Sequence, residues 1–142
     1  MIVPDVNVLI HAYNSQSNKH EQARRWWETT IASPRPVGMT WVTMLGYIRI
    51  MTHRSILMNP VFPADATRRV RSWLAFPHVQ ILYPGDNHAK ILFGLLEDLG
   101  TAGNLTTDAH LAALAIEYQC ELASTDADFA RFSGLRWFNP LV

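Results

Sequence analysis

The feature that most restricts this chain is a change of period inside its first thirteen residues. Met1-Ile2-Val3 is apolar without alternation, as expected of a strand buried on both faces of a sheet. From Asp5 onward the apolar residues Val6, Leu9, Ile10 and Tyr13 recur at helical spacing, so a helix begins where the strand stops. Asp5 is thereby placed at the carboxyl end of a strand and at the mouth of a helix. In open α/β sheets that edge is where ligands bind. Asp is also a preferred helix N-cap, and its charge suits the positive end of the helix dipole. Taken alone, Asp5 reads as a cap.

Alternation of strand and helix signals continues through the chain. Asn18 and Glu21 form a capping-box pattern ahead of a helix whose apolar side is Ala23, Trp26, Trp27 and Ile31. Pro34 and Pro36 end it before a strand at 37–39. Thr40 caps a helix with the stripe Trp41, Met44, Leu45, Ile48 and Met51. A loop punctuated by Asn59-Pro60 and Pro63 leads to a helix over 64–75, then a strand over 79–82. Asp86 is the expected cap of a helix bearing Ile91, Leu92, Leu95, Leu96 and Leu99, closed by Gly100. A helix over 107–118 capped by Thr107, a strand over 121–124, a helical turn over 127–132 and a strand over 135–138 complete the pattern. Such alternation predicts an α/β fold with a parallel sheet covered on both faces. At 142 residues, a single domain over 1–142 is expected.

Charge and cysteine content narrow the function classes. Twelve Lys and Arg balance twelve Asp and Glu, so bulk attraction to nucleic acid is excluded and any such binding needs a local patch. Arg49, Arg68, Arg69 and Arg71 are candidates for phosphate contacts, although a basic helix face is more often simply solvated. The lone Cys120 cannot form an internal disulfide, and no secretory leader or run of ~18 apolar residues is visible, so a reducing cytoplasm and no membrane association are expected.

Two further acids share the situation of Asp5. Asp108, in Thr106-Thr107-Asp108, falls in the first turn of a helix, and Asp126 follows a strand by two residues in Ser124-Thr125-Asp126-Ala127-Asp128. A parallel sheet puts all such junctions on one edge. Two carboxylates ~4 Å apart repel by about 4 kcal/mol at an effective dielectric near 20, and no Lys or Arg lies within three residues of any of the three. A hard divalent cation, Mg²⁺ or Mn²⁺, would resolve that repulsion. Dipole and turn roles for Asp108, Asp126 and Asp128 remain open on spacing alone. His11 and His110 lie near acids and read as packing or surface residues; Asn7 and Thr107 read as local helix-start partners.

Three pieces taken together, Pro4-Asp5-Val6-Asn7-Val8-Leu9, Leu105-Thr106-Thr107-Asp108-Ala109-His110-Leu111 and Ser124-Thr125-Asp126-Ala127-Asp128-Phe129, resemble the PIN-domain ribonucleases, specifically VapC-type toxins of bacterial toxin–antitoxin pairs. The resemblance spans essentially the whole chain. It implies a three-layer α/β/α fold with a five-stranded parallel sheet of order 3-2-1-4-5. It also implies Mg²⁺- or Mn²⁺-dependent RNA cleavage that leaves a 5′-phosphate. Asp5 and Asp108 would be the principal metal ligands, Asp126 would complete the site directly or through water, and Asp128 would be the weaker candidate. An RNA substrate, a cognate antitoxin and a homodimer are the implied partners.

One departure stands out. The family usually carries a Glu in the stretch that here reads Val42-Thr43-Met44-Leu45-Gly46-Tyr47-Ile48-Arg49, and its slot falls on Gly46; no acid occurs between Glu28 and Asp65. A PIN-like RNA- or protein-binding module with weakened catalysis is therefore the alternative. A phosphohydrolase using Asp5 as a covalent nucleophile ranks third, because Asp5-Val6-Asn7 lacks the second Asp of that motif. No Gly-rich loop follows the first strand to bind a nucleotide.

Overall fold

The computed structural model describes residues 1–142. Five short parallel strands, β1 (Ile2–Pro4), β2 (Val37–Met39), β3 (Val79–Ile81), β4 (Glu121–Ala123) and β5 (Arg136–Phe138), form one sheet in the order 3-2-1-4-5. Six helices flank it: α1 (Val6–Tyr13), α2 (His20–Ala32), α3 (Trp41–Met51), α4 (Pro63–Leu74), α5 (His88–Leu99) and α6 (Thr106–Glu117). Both the fold class and the strand order agree with the expectation.

The sheet separates two apolar clusters, which is why β1 and β2 are buried throughout and β4 is apolar beyond Glu121 at its start. One gathers residues of α1 to α4, including Leu9, Trp27, Met44, Tyr47 and Trp73. The other gathers α5, α6 and the 3₁₀ turn after β4, including Leu95, Leu111, Leu122 and Phe129. Trp27 is fully buried, whereas its neighbour Trp26 is half-buried and packs its ring edge to Phe138, as two adjacent positions ~100° apart on a helix must divide.

In this order β1 lies between β2 and β4, and the strand order turns back at it: β2 and β3 are added on one side, β4 and β5 on the other. Pro4 pairs with Ala123, and the Asp5 N–H donates to the Ala123 carbonyl at 2.9 Å. The carboxyl ends of β1 and β4 therefore open side by side at the switch point of the sheet, the usual position of an α/β ligand site.

Four local expectations are corrected. Asn18 does not cap α2, which begins at His20 after an N-cap, Lys19, whose side chain makes no capping bond. Ser17 takes over there, its hydroxyl accepting the Lys19 N–H and bonding His11 Nδ1. Asp86 does not cap α5; the Glu117 carboxylate reaches from the end of α6 and accepts the Gly85 and Asn87 N–H groups at 2.8 and 3.0 Å. Thr107 does not cap α6, because a 3₁₀ turn over Gly103–Leu105 runs directly into the helix and Thr106 bonds back to the Gly103 carbonyl. Finally, Trp41 and Leu45 are not core residues. They face solvent, and α3 instead buries Thr43, Met44, Tyr47 and Met51.

Candidate metal centre

Asp5 ends β1 and caps α1, accepting the Val6 N–H at 2.7 Å. Its other carboxylate oxygen accepts the Ser124 hydroxyl, also at 2.7 Å. Both the cap reading and the site reading of Asp5 thus describe the same residue. Ser124 is fully buried one position past β4, and its hydroxyl also accepts the Asp126 N–H at 3.0 Å and the Asn7 amide at 3.2 Å. Asn7 completes the clasp by accepting the Thr125 N–H. The Ser124 carbonyl is held in turn by the Trp137 indole N–H at 3.0 Å. One hydroxyl therefore ties the ends of β1 and β4 to the loop carrying Asp126. Asp126 itself caps the following 3₁₀ turn, accepting the Asp128 N–H.

Ser124 was not singled out from the sequence. Its importance depends on which residue pairs with Pro4 across the sheet, and the only local sign was a serine two places before an Asp. Asn7 has the sequence position of a local helix-start residue, yet its side-chain partners are Ser124 and Thr125 in the loop after β4.

Asp108 sits half-buried in the first turn of α6. Burial, then the charges of Asp5, Asp126 and Asp128, push its carboxyl up to about 6. Asp5 is raised chiefly by burial and additionally by Asp126, while the bonds from Ser124 and Val6 act the other way. The structure therefore brings Asp5, Asp108, Asp126 and Asp128 into one electrostatic neighbourhood, with Asp128 the exposed member. No cationic side chain pairs with any of them: the ion pairs of the molecule join Arg24 to Glu21 and Glu28, Arg35 to Glu121, and Arg68 to Asp65. His11 and His110 are engaged elsewhere, with Ser17 and His88.

No three His, Cys, Asp or Glu side chains are gathered closely enough to make a closed metal cage. The donor chemistry nevertheless fits a hard cation: carboxylate oxygens only, mutually repelling, partly desolvated and free of basic partners. An open set of this kind suits an ion that retains much of its water.

Gly46 lies where α3 crosses α1. A Cβ there would stand 3.1 Å from Val6 Cγ2, so the glycine is used for close helix approach. No carboxylate enters the site from α3.

A family model described as "PIN domain" matches residues 2–135. This chain belongs to the PIN-domain family. Among curated relatives, Ribonuclease VapC33 of Mycobacterium tuberculosis is 44% identical over 141 residues, with 99% of each chain covered. Ribonuclease VapC37 of the same species is 39% identical over 140 residues, covering 99% of this chain and 97% of its own. Among solved structures, VapBC2 from Rickettsia felis, bound to a DNA fragment from its promoter, superposes with a TM-score of 0.69. That alignment covers 98% of both chains at 16% identity, a likeness of fold. No helix is long and apolar enough to cross a membrane.

Proposed function

We propose that this PIN-domain chain is an endoribonuclease, the toxin of a type II toxin–antitoxin pair, and that it hydrolyses RNA phosphodiester bonds with Mg²⁺ or Mn²⁺ at Asp5, Asp108 and Asp126. The observation that carries this reading is the clasp by which Ser124 joins Asp5 to the Asp126 loop, with the Asp108 carboxyl raised by both charges and no basic side chain paired to any of the three. The ribonuclease names of relatives at 44% and 39% identity supply the substrate class.

A bound divalent cation supplies charge neutralisation and an activated water for attack on phosphorus. Asp5 and Asp108 are its principal holders. Asp126 completes the set directly or through water, and Asp128 adds negative field from the rim. Ser124 keeps the Asp5 carboxylate from turning and holds the Asp126 loop against the end of β1. A cognate antitoxin restrains the enzyme, and a homodimer is its assembled form. The exposed apolar residues Trp41, Leu45 and Met58 offer surface for such contacts.

The second reading, a binding module that no longer cleaves, draws on Gly46 and on the absence of any acid from α3. The two separate in one experiment. Purified protein incubated with total cellular RNA and Mg²⁺ or Mn²⁺ should create new 5′-phosphate ends, and Asp108→Ala should create none. Calorimetric titration with Mn²⁺ should show heat for the wild type that Asp5→Asn loses. Equal, negligible heats and no new ends would favour the binding module.

A further inference from the structure

We infer that the corner where α3 meets α4 is a phosphate-binding track for single-stranded RNA, separate from the carboxylates. The inference rests on the nuclease reading above and goes beyond it by naming where the substrate backbone is held.

The first observation is charge segregation. The chain has no net charge, yet residues 49–72 carry Arg49, Arg54, Arg68, Arg69 and Arg71 against the single acid Asp65. The rest of the molecule is correspondingly net negative, most conspicuously at the four-carboxylate site. RNA phosphates are repelled there by the same charges that attract a cation, so binding energy has to come from elsewhere on the surface.

The second observation is shape. A cleft of about 480 Å³ is lined by Val61, Asp65, Arg68, Arg69 and Ser72. A second hollow of about 390 Å³ shares Val61 and adds Arg54, Thr52 and Phe62. The two hollows adjoin at Val61 and between them present three guanidinium groups, two hydroxyls, an aromatic ring and the Asp65 carboxylate, which is paired to Arg68. Phe62 is 77% exposed, which suits base stacking.

The third observation is preorganisation. The Arg69 guanidinium lies 4.4 Å from the centre of the Tyr13 ring, held by a cation–π contact. Neither Arg54 nor Arg69 enters an ion pair, while Arg68 is bonded to Asp65 at 2.9 Å. Two of the three cations are therefore free to meet phosphate.

The fourth is reach. Asp5 and Tyr13 mark the two ends of α1, a helix of 8 residues. At 1.5 Å rise per residue, Tyr13, on whose ring Arg69 stacks, stands ~12 Å along that axis from Asp5. A few nucleotides of extended strand bridge that span, so a single RNA can occupy both places.

The test uses a fluorescein-labelled single-stranded RNA in EDTA, where it is bound without being cut, and anisotropy read across a salt series. Arg54→Ala/Arg69→Ala should weaken binding about tenfold and flatten the log Kd against log salt slope by ~1.4, the value for two lost phosphate contacts on a single strand. Arg54→Glu, which leaves the Tyr13 contact alone, should weaken binding without moving the melting temperature. Unchanged RNA affinity and slope in both variants would overturn the track. So would loss of binding to a labelled poly-glutamate peptide with RNA affinity retained, which would assign the corner to an acidic protein segment. Cleavage of the same RNA with Mn²⁺ is scored separately. A wild type that cuts, with variants that bind normally, defeats the track alone; a wild type that neither binds nor cuts defeats both readings.

Discussion

The Ser124 hydroxyl stands 2.7 Å from Asp5 Oδ2 across 119 positions of sequence, and both residues are buried. A buried carboxylate so held keeps one orientation, and the same oxygen fixes the Asp126 backbone at 3.0 Å. Ser124→Ala leaves an acceptor and two donors short of a partner, at a cost of ~1–3 kcal/mol for each group left buried and unpaired. RNA cleavage is expected to fall at least tenfold, with Mn²⁺ affinity falling in parallel. Ser124→Thr, which restores the hydroxyl, should recover part of both. Cleavage at wild-type rate in the alanine variant would contradict this role.

The raised carboxyl of Asp108 makes stability depend on pH in a definite direction. Its folded value of about 6 lies above the ordinary 3.8, so its contribution favours the fold below 3.8 and is lost as pH climbs through 6. Asp5 shifts the same way. Without added divalent cation, these two carboxyls should therefore favour the fold more at pH 5 than at pH 7.5, opposed over the same range by His11 and His110, whose burial favours the neutral ring and hence the higher pH. Asp108 is partly solvated, so solvent screening keeps the effect near ~1 kcal/mol. Asp108→Asn should accordingly raise the melting temperature by about 2–6 °C at pH 7.5 and leave it nearly unchanged at pH 4. Adding Mn²⁺ at pH 7.5 should raise the melting temperature of the wild type and not of the variant. A variant that melts lower than wild type at pH 7.5 would contradict the shift.

Tyr13 holds the α1–α4 side of the core together by one oxygen. Its hydroxyl accepts the indole N–H of Trp27 and of Trp73, each at 3.0 Å, and both indoles are essentially fully buried. Tyr13→Phe orphans both donors at once, each costing ~1–3 kcal/mol. Urea unfolding followed by tryptophan fluorescence should show a loss of about 2–4 kcal/mol. A loss under about 0.5 kcal/mol would mean that water or a local shift satisfies both indoles.

Gly46 gives a prediction about the missing acid. Gly46→Glu gains helix propensity of up to ~1 kcal/mol, but its Cβ meets Val6 at 3.1 Å. With Mn²⁺ present to offset the added carboxylate, the single variant should be no more stable than wild type, and Val6→Ala/Gly46→Glu should be more stable than Val6→Ala alone. Chemical denaturation of the four proteins measures this coupling. Additive effects would show that the Val6 contact does not limit the site.

Much of this molecule was legible before its fold was described. The switch from a buried apolar run to helical spacing at Asp5, the first-turn place of Asp108 and the post-strand place of Asp126 are set by neighbours within a few residues. The period of burial leaves that imprint on sequence. Thr40 is the local case that held, its hydroxyl accepting the Thr43 N–H as a cap should. Asp86 and Asn18 have comparable local patterns and do not cap: Glu117 reaches the α5 end from 30 residues away, and at α2 the adjacent Ser17 takes the bond.

Backbone preference and local periodicity are enough to set the kinds of element, their order and the residues at their junctions. Long-range packing is what puts β4 beside β1, brings Ser124 to Asp5, bonds Asn7 to the loop after β4, and leaves Trp41 and Leu45 in solvent. Those outcomes depend on which surfaces bury each other over a hundred residues apart. Burial between distant segments is settled by the packing of the whole chain, and no short window of residues contains it.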